Sequence, residues 1–332
     1  MDSKYGNRKF LCEYNLSTDF LEHVGLKPKD IFPIKKGYIL ECENGVFYMK
    51  KIYSEDNIRI LKNLIENSNE FSEDYNIFVA NDLEELYYFL NMPSNTICNL
   101  NNMNDLKNIA KKLASIHKNC TEREMSLLRE IKVENIKEEF NMAFDNILFY
   151  KKIVDGYIYK SKFDELFIEN IEWILKQINI TTNEVMEFNY NDICREERLK
   201  CLCLGNIEVS NILIKDDKCY FVDIEDSYLG IGAINLAKFL FEILRYLNYD
   251  IERGKEIIES YNEVRPISDI EFKIMYSYLN YPKNLIELVC NYYNKNQMFD
   301  ESVFINKFNK VLESRDEKNT FIKWFYDEYV EI

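Results

Sequence analysis

Histidine is nearly missing from this 332-residue sequence. The two present, His23 and His117, cannot build the multi-histidine centre of a zinc hydrolase. Positive charge is also in deficit. Lys and Arg number 42 against 57 Asp and Glu, for a formal charge of −15, so the concentrated basic face that binds a nucleic-acid polyanion is not expected. Nine cysteines lie at 12, 42, 98, 120, 194, 201, 203, 219 and 290, without a C-x-x-C pair. An odd number so scattered reads as reduced thiols in a cytosolic setting. Cys201 and Cys203, two apart in an apolar run, should share one face of a strand, where packing is the plainer role and metal or redox chemistry the sharper one. No run of about 18 apolar residues occurs, which predicts no membrane span, and the charged segment Met1–Phe10 has no apolar core of signal-peptide type. The expectation is a chain made and kept inside a cell. Neither internal repeats nor low-complexity tracts are present.

With 47% hydrophobic residues the chain can bury one large core or the cores of two lobes. Residues 37–52, GYILECENGVFYMKKI, are two β-rich runs joined by Asn44-Gly45, a dipeptide suited to the two positive φ angles of a tight hairpin turn. Next, Ile58, Leu61, Leu64 and Ile65 recur at helical spacing over Glu55–Asn67, with acids at the start where the helix dipole is positive. Two short apolar runs follow, Tyr75–Ala80 and Glu85–Leu90, with Asn81-Asp82 as the turn between them and a breaker cluster after them at Asn91, Pro93, Ser94 and Asn95. Helical periodicity then dominates, first over Asn104–His117 and most of 132–178. It resumes over Asn235–Tyr246, Ile251–Tyr261, Asp269–Leu279 and Leu285–Tyr292, with boundaries at Pro266 and Pro282. One β-rich island interrupts it, Ile212–Ile214 and Cys219–Val222 around the polar turn 215–218. Composition shifts near residue 98, so the expected division is a β-rich N-terminal lobe over 1–98 and a helical C-terminal lobe over 99–332.

Lys50 stands late in the second hairpin strand, on the face of Tyr48 and opposite Lys51. Its place before an acidic helix suits phosphate contact, against the plain alternative of a solvated strand charge. Glu66 is a candidate ion-pair partner across the lobe, with Glu55 and Glu70 as competitors and a solvated helix face as the plain reading. A hairpin with a lysine, then a helix, a connector and a helical half broken by one hairpin resembles the protein-kinase-like fold. That resemblance implies an α+β, bilobal architecture.

The segment 204–225, LGNIEVSNILIKDDKCYFVDIE, resembles the H-G-D-x-x-x-x-N loop and I-D-F strand end of aminoglycoside phosphotransferases and choline kinases. The resemblance implies ATP and Mg²⁺ as cofactors, Lys50 and Glu66 on the nucleotide side, Asn211 and Asp223 as metal ligands, and position 206 as the place of the catalytic base. The pattern breaks at three linked positions: Leu204 replaces the bracing histidine, Asn206 the base and Asn235 a helix aspartate. Asparagine hydrogen-bonds but takes no proton near neutral pH. Glu208, inside the loop, is either a substitute base or a surface carboxylate. A glycine-rich nucleotide loop is also missing, since Ile34-Lys35-Lys36-Gly37 carries one glycine.

Tyr87-Tyr88-Phe89-Leu90, the stretch NDLKNIAKKLASIH over Asn104–His117, and EFKIMYSYLNYPKNLIELVCNYY over Glu271–Tyr293 are similar to CotS-type spore coat proteins, a branch of the same fold; the likeness covers roughly residues 30–325. It implies a sporulating bacterium, a location in the mother-cell cytoplasm and then the spore coat, and other coat proteins as partners. Two functions stay open: a catalytically impaired, pseudokinase-like coat component working through protein contacts, or a working ATP-dependent small-molecule phosphotransferase. The late aromatics Tyr292, Tyr293, Trp324, Phe325, Tyr326 and Tyr329 serve either helix packing or coat contacts.

Overall fold

The structure, a computed structural model, describes residues 18–34, 36–71, 76–82, 85–92, 96–205, 207–294 and 300–331. In chain order its first elements are α1 (Thr18–His23), β1 (Pro28–Ile34), β2 (Gly37–Cys42), β3 (Gly45–Ile52), α2 (Glu55–Asn67), β4 (Asn76–Asp82) and β5 (Glu85–Met92). Helices α3 (Met103–Lys118), α4 (Glu122–Ile131), α5 (Ile136–Asp155), α6 (Lys162–Glu187) and the short α7 (Tyr190–Ile193) follow. Four short strands come next: β6 (Lys200–Cys203), β7 (Ile212–Lys215), β8 (Lys218–Phe221) and β9 (Tyr228–Ile231). The chain closes with α8 (Gly232–Leu244), α9 (Ile251–Val264), α10 (Asp269–Asn280), α11 (Lys283–Tyr293), α12 (Glu301–Glu313) and α13 (Arg315–Tyr329). Small antiparallel sheet first and a largely helical remainder after it make this an α+β fold. Among the described residues no helix is long and apolar enough to cross a membrane.

Two compact units emerge, the first from residues 1–133, 201–229 and 257–265, the second from 134–200, 230–256 and 266–332. In the first, five strands pair antiparallel in the order β1-β2-β3-β5-β4. Alternation along β3 sorts its side chains: Phe47 and Met49 join Phe20, Leu21, Leu26, Ile31, Leu40 and Phe89 in one core, while Tyr48 and Lys50 point to the other face. Helix α2 begins where predicted, with Ser54 Oγ accepting the Asn57 N–H at 3.1 Å, and buries Ile60, Leu61, Leu64 and Ile65.

Three sequence expectations shift here. The edge strand β1 was not foreseen, because Pro28, Pro33 and a mostly solvent-facing pattern hide its periodicity. The predicted hairpin forms, but Cys42 pairs with Gly45, so the turn residues are Glu43 and Asn44, and Gly45 alone carries a positive φ, 139°. A tight turn with two positive φ values occurs instead at Asp216 (48°) and Asp217 (61°) between β7 and β8. Finally, β4 runs through Asn81 and Asp82, which pair with Leu86 and Glu85, where the sequence suggested a turn.

In the second unit the predicted helical stretch breaks into α5 and α6, with Asn135 accepting the N–H of Lys137 and Glu138 at one start and a Ser161/Asp164 capping box at the other. Helix α8 is buried nearly all round, which makes it the central helix on which α10 packs. The late aromatics pack inward in part: Tyr292 stacks on Phe163 (ring centroids 3.9 Å apart), Tyr329 on Phe272 (4.6 Å), and Phe325 is fully buried.

Candidate functional site

The β7–β8 hairpin builds the site by its open end. Ile212 pairs with Phe221, and the Val222 N–H donates to the Asn211 carbonyl at 2.9 Å, so Asn211 and Asp223 leave the hairpin side by side. Asn211 Nδ2 donates to Asp223 Oδ2 at 3.1 Å, and both residues are almost fully buried. Asp223 holds φ 63°, ψ 28°, in the left-handed region that a short polar side chain tolerates when its hydrogen bonds hold it.

Strand β3 supplies the other half. Lys50, 6% exposed, places Nζ 3.1 Å from Asp223 Oδ1 and forms a second ion pair with Glu225. Tyr48, on the same face, donates its hydroxyl to Asp223 Oδ1. Across the sheet Lys50 registers with Tyr88, whose hydroxyl donates to Glu225 Oε2 at 2.7 Å. Next to this cluster Asp226 accepts from Lys36 Nζ at 3.1 Å and from Asn57 Nδ2 at 3.0 Å, which fastens the β1–β2 turn and the start of α2 to residues 223–226. Gly205 lets the loop pass close beneath: a Cβ there would lie 2.1 Å from the Asp226 carbonyl oxygen.

Burial and charge compete inside the cluster. Burial raises the Glu225 carboxyl above its usual range and the Asp223 charge adds to it, against the counterpull of Lys50. Burial alone would lower the Lys50 ammonium, but Glu225 and Asp223 outweigh it and hold it above its ordinary value. The Tyr48 and Tyr88 phenols are pushed well up, by burial first and then by nearby anions. Asp226, despite burial, is held below the usual carboxylate range by Lys50 and Lys36. Two carboxylates and an amide form a hard, oxygen-rich donor set of the kind Mg²⁺ accepts, with an ammonium beside it suited to phosphate.

Of the predicted site residues, Lys50, Asn211 and Asp223 come together. Glu66 does not join them. It sits on the exposed face of α2, and the lysine is paired with Asp223 and Glu225, two residues whose buried carboxylates compensate it where a solvated helix face cannot. Asn206 lies outside the described residues. Its neighbour Leu204 is buried, 3% exposed, as an apolar support, and Glu208 is half-buried. Asn235 is buried in the first turn of α8. Sequence reading missed Glu225, Tyr88 and the Lys36–Asp226–Asn57 link. The signal for Glu225 was its place two residues after Asp223; Tyr88 carried none, because its place opposite Lys50 is fixed by the β3–β5 register.

Residues 240–325 match the model of the family described as "Spore coat putative kinase YutH". No curated protein sequence matches the chain. Among solved structures, the aminoglycoside phosphotransferase of Alicyclobacillus acidocaldarius subsp. acidocaldarius superposes with a TM-score of 0.75 at 13% identity, over 91% of this chain and 92% of its own. A spectinomycin phosphotransferase solved with ADP and spectinomycin gives 0.61 at 14%, over 90% and 94%. The Plasmodium vivax ethanolamine kinase gives 0.61 at 14%, over 96% and 94%. At such identities the likeness establishes the fold alone. The chain thus has the protein-kinase-like fold of aminoglycoside phosphotransferases and choline kinases, and its late helices are similar to the spore coat kinase family.

Proposed function

We propose that this chain is a spore coat-associated kinase-fold protein, impaired in phosphoryl transfer, that acts in coat assembly through contacts with other coat proteins after synthesis in the mother cell. The observation that carries the reading is a mismatch within one site. Lys50, Asn211 and Asp223 are held together by hydrogen bonds and charge, while residue 206, the base position of the loop that leads into them, is asparagine. In this reading segment 1–98 is the nucleotide lobe and 99–332 carries the altered loop. Lys50 would meet the ATP phosphates, and Asp223 and Asn211 would hold Mg²⁺, which when bound screens phosphate charge. Loss of a general base raises the barrier by roughly 3–5 kcal/mol, a rate loss of about 10² to 10⁴. The match over 240–325 to a spore coat family supports the location.

A second reading, an active phosphotransferase on a small hydroxyl or amine compound, draws on the same intact trio, because phosphoryl transfer leans mainly on positioning and metal electrostatics. One assay separates the two. ATP consumption with Mg²⁺ is measured for the wild type, Asn206→Asp and Asp223→Ala. Background turnover in the wild type with a gain in Asn206→Asp is expected; vigorous wild-type turnover abolished by Asp223→Ala would overturn the impaired reading. Coat-layer fractionation tests the location, and recovery of the protein only outside the coat would sink it.

A further inference from the structure

A second buried polar cluster in the sheet-bearing unit has nothing to do with phosphate chemistry. Cys201 and Cys203 are alternate residues of β6, so their side chains leave the same face, and their Sγ atoms lie 3.9 Å apart. The ligand atoms of His117, in the last turn of α3, and of both cysteines all lie within 4.8 Å of one another, and all three residues are buried. Tyr228 and the half-buried Cys120 close the surroundings, with the Cys120 sulfur accepting the Leu202 N–H at 3.0 Å. We propose that His117, Cys201 and Cys203 bind one thiophilic cation of the Zn²⁺ type.

Two observations and a charge argument support a cation over simple packing. The sulfur separation is far beyond the roughly 2.05 Å of a disulfide, yet close to the ~3.8 Å edge of a tetrahedron with Zn–S bonds near 2.3 Å. His117 Nδ1 lies 2.6 Å from the Tyr261 hydroxyl. With the proton on Nδ1 and donated to that oxygen, Nε2 would be the nitrogen that binds the ion, the usual arrangement of a metal-bound imidazole with an orienting partner. Charge also balances: two thiols release two protons, and two thiolates with one divalent cation and a neutral imidazole make a neutral complex, which a buried site accommodates. An ion there would tie the end of α3 to β6, the strand that runs directly into Leu204–Asn211.

The test is a titration of the metal-free full-length chain with Zn²⁺ under a non-thiol reductant, followed by X-ray absorption at the zinc edge. Expected are one equivalent per chain, two sulfurs near 2.3 Å and a nitrogen near 2.0–2.1 Å. Cys203→Ser should lose one sulfur and weaken binding at least tenfold, and Cys42→Ser should leave both unchanged. Tyr261→Phe, which removes only the orienting hydroxyl, should weaken binding about 10–100-fold while keeping both sulfurs. A wild-type shell without sulfur, or wild-type affinity in the Cys201→Ser/Cys203→Ser double variant, would overturn the site. The absorption spectrum of the wild type decides even where a variant fails to fold.

Discussion

In the sheet-bearing unit the buried ammonium of Lys50 lies between two carboxylates, whereas in the helical unit Lys318 directs its ammonium to the Tyr281 carbonyl at 3.1 Å and over the Phe241 ring. The outcomes diverge. Paired Lys50 is held above its ordinary pKa, and Lys318, desolvated, is pulled down to about 7. Two carboxylates, Asp226 and Glu184, contrast in the same way. Asp226, facing lysines, is held low, while burial pushes Glu184 of α6 up to about 7, with one oxygen lacking a hydrogen-bond partner among the described residues. At Lys50 and Asp226 charge is thus kept and compensated. In the second unit Lys318 and Glu184 shift toward their neutral forms instead.

The largest test of that contrast is Lys50→Met. Removing the cation strands Asp223 and Glu225, and a loss of about 3–5 kcal/mol is expected in denaturant unfolding. Adding Glu225→Gln should recover part of it, and a loss below about 1 kcal/mol for Lys50→Met alone would break the comparison. For Lys318 the sign reverses. Its folded pKa of about 7 lies below the ordinary 10.5, so between these values the unfolded chain binds more protons and stability rises with pH. Lys318→Met should flatten that rise and, near pH 7, raise stability by about 1–3 kcal/mol. Glu184 titrates the other way. With a folded pKa of about 7 against an ordinary 4.5, the folded chain binds more protons, and stability falls as pH rises across that window. Glu184→Gln should therefore stabilise the chain by about 1–2 kcal/mol above pH 7 and hardly at all below pH 4.5, read as thermal midpoints at two pH values.

The smallest test compares the two hairpin turns. Asp216 has φ 48°, so Asp216→Ala should cost about 1 kcal/mol, whereas Asn44, outside the positive-φ residues, should tolerate Ala within about 0.5 kcal/mol. Equal effects would mean that Asn44 carries the strained turn after all.

Much of the fold was legible because local physics repeats itself along the chain. The β2–β3 hairpin, α2 with its acidic start, and helices α3, α5, α6 and α8 to α11 were visible as periodicity, whereas α4, α12 and α13 were not read from the sequence. Lys50, Asn211 and Asp223 were visible as a spaced pattern within a known fold. Glu66 misled because sequence spacing puts a carboxylate on the neighbouring helix but cannot say which face of that helix meets the strand. Glu225 and Tyr88 stayed hidden because their meeting depends on the β3–β5 register and on a left-handed turn at Asp223, both set by nonlocal pairing.

By itself the sequence determined the order of elements, the asparagine at the base position and the alternation that sets Tyr48 and Lys50 on one strand face, since these rest on residue identity and periods of two and 3.6. Only the tertiary structure decided which charges meet. It paired Lys50 with Asp223 and Glu225 and left Lys318 and Glu184 to shift their pKa values. It also gathered His117 from α3 with Cys201 and Cys203 from β6, more than eighty residues apart. Those meetings depend on packing between elements distant in sequence, which no local pattern encodes.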